Sequence, residues 1–72
     1  MLIGKINDRS RQKILVTIRQ AKGARLIDLR VHQTNDDGEL VATPAGVSLT
    51  LDQVDQAIEL LKEAKKRTAQ DQ

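Results

Sequence analysis

The chain has 72 residues, with twelve Lys and Arg against ten Asp and Glu, and no Cys, Phe, Trp or Tyr. That length is one domain; the missing Cys excludes a disulfide staple and a thiolate zinc site, and the missing aromatics leave a core of Ile, Leu, Val and Ala. So small a scaffold with so thin a core needs a staple, and oligomerisation is the one that remains, so a homodimer is expected.

The charge is unevenly spread. Residues 1–34 hold eight basic and two acidic side chains, residues 35–72 four basic and eight acidic. A basic first half suits a polyanion-binding surface, although scattered Lys and Arg also serve to solvate strand faces. No apolar run approaches the roughly 20 residues that cross a bilayer. Met1-Leu2-Ile3 gives way at once to Gly4 and Lys5, without the apolar stretch of a signal peptide. A cytoplasmic protein with no membrane partner is the expectation.

In chain order, Leu2-Ile3-Gly4-Lys5-Ile6 reads as a first strand, and Asn7 to Gln12 as a polar, basic bend or extension. Ile14 to Gln20 and Arg25 to His32 alternate apolar and polar residues with a β-branched bias, which predicts two strands. Between them, Lys22-Gly23 is a two-residue turn in which Gly takes the positive φ it tolerates. With Ala21 opposite Ala24, Ile18 faces Ile27, Val16 faces Leu29 and Ile14 faces Val31, all on one face. Arg19 with Leu26, Thr17 with Asp28 and Leu15 with Arg30 fall on the other. A one-residue slip destroys this segregation. The hairpin therefore has an aliphatic face, expected to receive the helix, and a mixed face carrying Thr17, Arg19, Asp28, Arg30 and His32.

Asn35-Asp36-Asp37-Gly38 is a turn by composition. Glu39 to Ala42 is short strand material, and Thr43-Pro44-Ala45-Gly46 interrupts it as an edge, kink or loop, since Pro lacks a donor. Gly46-Val47-Ser48-Leu49 is one more short strand. Thr50-Leu51-Asp52-Gln53 matches a capping box that opens a helix, with Thr50 as N-cap. Val54, Ala57, Ile58 and Leu61 form one apolar stripe at helical spacing, which Leu60 and Ala64 widen to one side. Leu60 is one apolar residue more than a helix lying on a single sheet needs. A symmetry-related helix would cover it, which makes Val54, Ala57, Ile58, Leu60, Leu61 and Ala64 the expected dimer interface. Residues 1–67 are read as the domain and 68–72 as a frayed tail.

No catalytic set emerges. His32 is the lone His, and no nucleophile elbow or glycine-rich phosphate loop is present. Asn35 to Glu39 offers oxygen ligands without EF-hand spacing, so a turn is the better reading. The expectation is no enzyme, no cofactor and no metal. The alternative chemistry is nucleic-acid binding, in which Lys and Arg track phosphates and release counterions. Single-strand binders usually add aromatic platforms, and none exists here.

The string Val16 to Arg30 resembles the central hairpin of the transcriptional coactivator family called positive cofactor four, whose domain binds single-stranded DNA. The likeness continues through Asp37-Gly38-Glu39-Leu40, Gly46-Val47-Ser48-Leu49 and Asp52-Gln53, and includes Ile3-Gly4-Lys5. No gap is needed from Val16 to the helix, while the stretch between Lys5 and Leu15 is several residues longer than the eukaryotic pattern. The resemblance implies an α+β fold: a curved antiparallel sheet of four to five short strands, then one C-terminal helix, in a two-fold dimer with the helices at the interface. It implies sequence-tolerant binding of single-stranded DNA in transcription, replication or repair, with transcription or replication proteins as further partners. Lys5, Arg19, Lys22 and Arg30 carry over as phosphate contacts. Arg9, Arg11 and Lys13 in the longer stretch are auxiliaries, and Thr17 and His32 hydrogen-bond backbone or base. Ala21 and Gln33 stand where the family has stacking aromatics, and Val41, Pro44 and Ala45 where it has basic residues. The serine-rich arm of eukaryotic members is absent, which implies a minimal bacterial or phage version, nucleoid-associated or in the host cytoplasm. The alternative is a protein-interaction or structural dimer that kept the fold and lost DNA binding.

Overall fold

A computed structural model of the protein describes residues 1–7 and 11–70; Arg9 lies outside the described residues. Strands β1 (Leu2–Ile6), β2 (Gln12–Ala21), β3 (Ala24–Thr34) and β4 (Leu40–Leu49) precede one helix, α1 (Leu51–Gln70). The strands form one antiparallel sheet in the order β1-β2-β3-β4.

The β2–β3 register is the predicted one, from Ala21 opposite Ala24 through Ile18–Ile27, Val16–Leu29 and Ile14–Val31. Both turn residues have positive φ, Lys22 at 53° and Gly23 at 79°. That is the type I′ geometry, whose twist matches a hairpin and which favours Asn-Gly. A lysine in the left-handed region is strained by about 1 kcal/mol. Lys22→Asn is therefore expected to raise stability by about 0.5–1 kcal/mol, read as a higher midpoint in urea with unchanged slope.

Two bulges set which side chains share a face. In β1, Leu2 pairs with Thr17 but Gly4 pairs with Val16, so Ile3 is the extra residue. An unbroken register from Leu2 would put Lys5 opposite Ile14, on the aliphatic face. The bulge moves it opposite Leu15, on the mixed face. In β4, Gly46 pairs with Arg30 and Ala42 with His32, so Thr43, Pro44 and Ala45 stand opposite Val31. The sequence reading breaks the chain here, whereas β4 runs through. It does so because Pro44 falls in a bulge on an edge strand, where no ladder donor is required of it. The Thr43 hydroxyl donates to the Val31 carbonyl at 2.8 Å and accepts from the Ala45 amide at 3.2 Å, which anchors the bulge to β3.

The β3–β4 turn is organised by Asn35, whose side-chain oxygen accepts from the Asp37 and Glu39 amides at 3.0 and 2.9 Å. The capping box forms as read. The Thr50 amide donates to Gln53 Oε1 at 2.9 Å, and the Gln53 amide donates to Thr50 Oγ1 at 3.3 Å. The helix continues to Gln70, past the Thr68 at which the sequence reading begins a tail. There the Thr68 hydroxyl folds back to donate to the Ala64 carbonyl at 2.8 Å.

The helix does not close over the aliphatic face as expected. It touches only β3 and β4, and Val54 and Ala57 are half-buried while Ile58, Leu60 and Leu61 stay exposed. Thr50 alone joins β4, an edge strand, to α1, so the helix starts at the rim of the sheet. Ile6, Ile14 and Val47 on the aliphatic face also remain exposed. Among the described residues no hydrophobic side chain is buried, and Asp28 at 6% exposure is the one buried polar residue. The accessible surface is 6037 Å², against about 4,500 Å² for a compact chain of this mass. The radius of gyration is 14.5 Å, against about 11 Å. A single chain is thus open, with much of its apolar surface uncovered.

Candidate nucleic-acid interface

Strand alternation and the two bulges place Lys5 on β1, Lys13, Thr17 and Arg19 on β2, and Arg30 and His32 on β3 on the same side of the sheet. Lys13 lies directly opposite His32, and Lys5 opposite Leu15, itself opposite Arg30. Lys22 stands at the hairpin tip. The opposite face carries Ile6, Ile14, Val16, Ile18, Ile27, Leu29, Val31, Val47 and Leu49, with Arg25 only at its end. Six of the predicted residues are thereby brought together on one face, and the cations are separated from the aliphatic side.

Arg30 differs from the others in what its side chain does. Its Nε and Nη2 donate to Asp28 Oδ2 and Oδ1, both at 3.1 Å. Its Nη1 donates to the carbonyls of Thr43 and Pro44 at 3.1 and 3.2 Å. The Ser48 hydroxyl donates to Asp28 Oδ1 at 2.8 Å. Arg30 therefore ties β3 to the β4 bulge, and Asp28 is the acceptor at the centre. The hydrogen bond from Arg30 first, and that from Ser48 second, hold the Asp28 carboxyl below its ordinary value despite burial. The sequence reading put Asp28 on the mixed face without a role and did not single out Ser48. The signal was the i, i+2 spacing of opposite charges at Asp28 and Arg30, which puts both on one strand face.

His32 Nδ1 lies 3.1 Å from the Arg30 carbonyl oxygen, which orients the ring on the basic face. Arg11 is drawn to the far end of the sheet: its Nη2 donates to the Asn35 carbonyl at 2.8 Å, and its own carbonyl accepts from the Thr34 amide at 3.1 Å. An open groove of about 510 Å³ lies there, lined by Arg11, Gln33 and Val41 among others. Gln33 and Val41 are two of the positions where the family resemblance expects an aromatic and a basic residue, and Arg11 is a cation that lines the same groove. A second hollow, at the opposite end, is lined by Met1, Arg19 and Arg25 with their neighbours. Arg25 reaches that hollow from the aliphatic side of the sheet. Among the described residues no three His, Asp or Glu side chains converge to hold a metal ion, and no helix is long and apolar enough to cross a membrane.

The family model for Transcriptional Coactivator p15 (PC4) matches residues 9–60, well over half of the chain. The chain belongs to the PC4 family. Two crystal forms of BPSL1147, a PC4 homolog from Burkholderia pseudomallei K96243, share the fold. The orthorhombic form matches with a TM-score of 0.84 at 28% identity, over 90% of this chain and 88% of that one. The tetragonal form gives 0.83 at 28%, over 90% and 96%. No curated protein matches the chain significantly. The PC4 fold is a nucleic-acid-binding one, which fits the segregation of cations onto one sheet face. The match over 9–60 takes in β2, β3, β4 and the first half of α1, hence every predicted contact residue except Lys5.

Proposed function

We propose that the protein is a homodimer that binds single-stranded DNA without sequence preference, through the basic face of its sheet, in transcription, replication or repair. The observation that carries this reading is the gathering of Lys5, Lys13, Arg19 and His32 on one face, with Lys22 at its tip and Arg11 at its far end. Lys22 adds a cation at the hairpin tip, in the left-handed region at φ 53°. In this reading Lys5, Lys13, Arg19 and Lys22 meet phosphates, Arg9 and Arg11 assist, and Thr17 and His32 bond backbone or base. Such a protein would work in the cytoplasm, close to the nucleoid.

The dimer rests on three features. One chain exposes about a third more surface than a compact fold of its mass. Leu60 and Leu61, at 70% and 67% exposure, head an apolar stripe on α1 with no cover within the chain. The helix is acidic in its first half (Asp52, Asp55, Glu59) and basic in its second (Lys62, Lys65, Lys66, Arg67), so two copies packed antiparallel set opposite charges together.

The test is titration of a labelled oligothymidine at several salt concentrations. Binding is expected to weaken with salt at a slope of about −0.7 per neutralised phosphate. Lys13→Ala with Arg19→Ala is expected to make that slope shallower by about 1.4 for each protomer engaged. Absence of binding at low salt overturns the reading. The second reading, a protein-interaction dimer without DNA binding, is favoured by one observation, the lack of any aromatic residue. It predicts that wild type fails to bind oligothymidine at low salt and that the double variant loses a protein partner.

A further inference from the structure

The guanidinium of Arg30 is fixed in a plane. Its donors all point outward along its edges, and four hydrogen bonds hold them: two to Asp28, one each to the Thr43 and Pro44 carbonyls. Bonds made along the edges leave the two flat faces unused. One face rests on Gly46, directly across the ladder. A Cβ at Gly46 would stand 3.0 Å from Arg30 Cζ, and Cζ, not a nitrogen, is its nearest side-chain atom, so the group lies face-down on the glycine. The same Cβ would come within 2.7 Å of the Leu29 carbonyl oxygen and 2.9 Å of Arg30 Cα, so a residue larger than glycine does not fit beneath. The other face turns away from the sheet on the basic side, and the side chain keeps 24% of its surface exposed.

We propose that this outward face of Arg30 is a stacking platform for a nucleobase, with Asp28, Thr43, Pro44 and Gly46 as the residues that position it. The proposal rests on the reading of the basic face as a single-strand surface. Every base has a π-face, and a planar guanidinium stacks on one as well as pairing with anions. The chain has no aromatic side chain to do this work. A phosphate clamp needs the in-plane donors instead, and all three guanidinium nitrogens already donate within the sheet.

The test compares an oligothymidine with a strand of the same length in which abasic sugars keep every phosphate and remove the bases. Arg30→Lys keeps the charge and loses the plane; Arg30→Gln keeps a planar amide and loses the charge. If Arg30 stacks, the Lys variant binds oligothymidine about fivefold more weakly than wild type, the size of an exposed cation–π contact. It then matches wild type on the abasic strand, and the Gln variant binds oligothymidine at least as well as the Lys variant. The reverse order, with Lys near wild type and Gln weakest on both strands, assigns Arg30 to a phosphate and overturns the proposal. Failure of wild type to bind either strand at low salt removes the DNA reading itself, and the proposal with it. Should far-UV circular dichroism show that substitution at Arg30 unfolds the sheet, wild-type protein with a 5,6-dihydrothymidine strand decides. That base keeps its hydrogen-bonding edge and loses planarity; several-fold weaker binding supports the platform, and equal affinity overturns it.

Discussion

Leu61→Asp is expected to abolish the dimer and, with it, cooperative folding. No described hydrophobic side chain is fully buried within one chain, so in the proposed dimer much of the apolar burial that stabilises the fold would come from association. Covering one Leu contributes about 1.5–3 kcal/mol, and a two-fold interface contains each position twice. Losing both, and confining two carboxylates there, removes about 5 kcal/mol or more, comparable with the whole stability of a small domain. Far-UV circular dichroism is expected to show a wild-type melting temperature that falls on dilution and a Leu61→Asp chain with no sharp transition. Glu59→Gln, on the side of the helix opposite the apolar stripe, keeps nearly the wild-type melt. A wild-type protein that sediments as a monomer, with a melt independent of concentration, would refute this account.

The β2–β3 hairpin was readable from sequence because two independent signals agree. The Lys22-Gly23 turn sets the register, and only that register sorts Ile14, Val16, Ile18, Ile27, Leu29 and Val31 onto one face. The helix start was equally plain, since a capping box is local and Thr50 and Gln53 suffice to form it. The family resemblance reached the same fold by the order and spacing of short strings, and the PC4 match and the BPSL1147 structures agree with it.

What was not readable depends on partners distant in the chain. Pro44 looks like a break locally; only β3 beside it, with the Arg30 fork and the Val31 carbonyl, makes a continuous bulged strand possible. Arg30 falls on the basic face in any correct register, so position alone groups it with Lys13 and Arg19. Its difference lies in Asp28, Ser48 and Gly46, which the β3–β4 pairing brings to it. The same limit explains the helix. Its stripe reads as a face to be covered, but whether the chain's own sheet or a second copy covers it depends on where the one-residue Thr50 connection sends it.

Asp28→Ala is the second substitution with a large expected effect, on stability first. It strips two acceptors from Arg30 and one from Ser48 at the most buried polar position of the sheet. Losing such charge-assisted bonds costs about 2–3 kcal/mol per protomer. The pH response follows from the sign of the Asp28 shift. Its carboxyl titrates below the ordinary value when folded, because Arg30 and then Ser48 bond the ionised form. The stabilisation it gives is fully present above the unfolded value of about pH 4, and is lost as pH falls through the lower folded value. Wild-type melting temperature is expected to hold from pH 7 to about 5 and to drop below about 4. Asp28→Asn starts lower at pH 7 and falls less, so the two curves converge in acid. Parallel curves down to about pH 3 would show that Asp28 is not the titrating group. Salt separates this pair from the DNA surface. Asp28 and Arg30 are partly sheltered, with 9% and 24% of their side-chain surface exposed, so added salt screens them weakly. Arg19 and Lys22 are exposed, so the phosphate contacts proposed for them would be screened strongly. Raising the salt concentration is therefore expected to release DNA while the gap between wild type and Asp28→Ala persists. The basic face then contains two kinds of arginine: one that meets solvent and counterions, and one whose charge is already satisfied within the sheet.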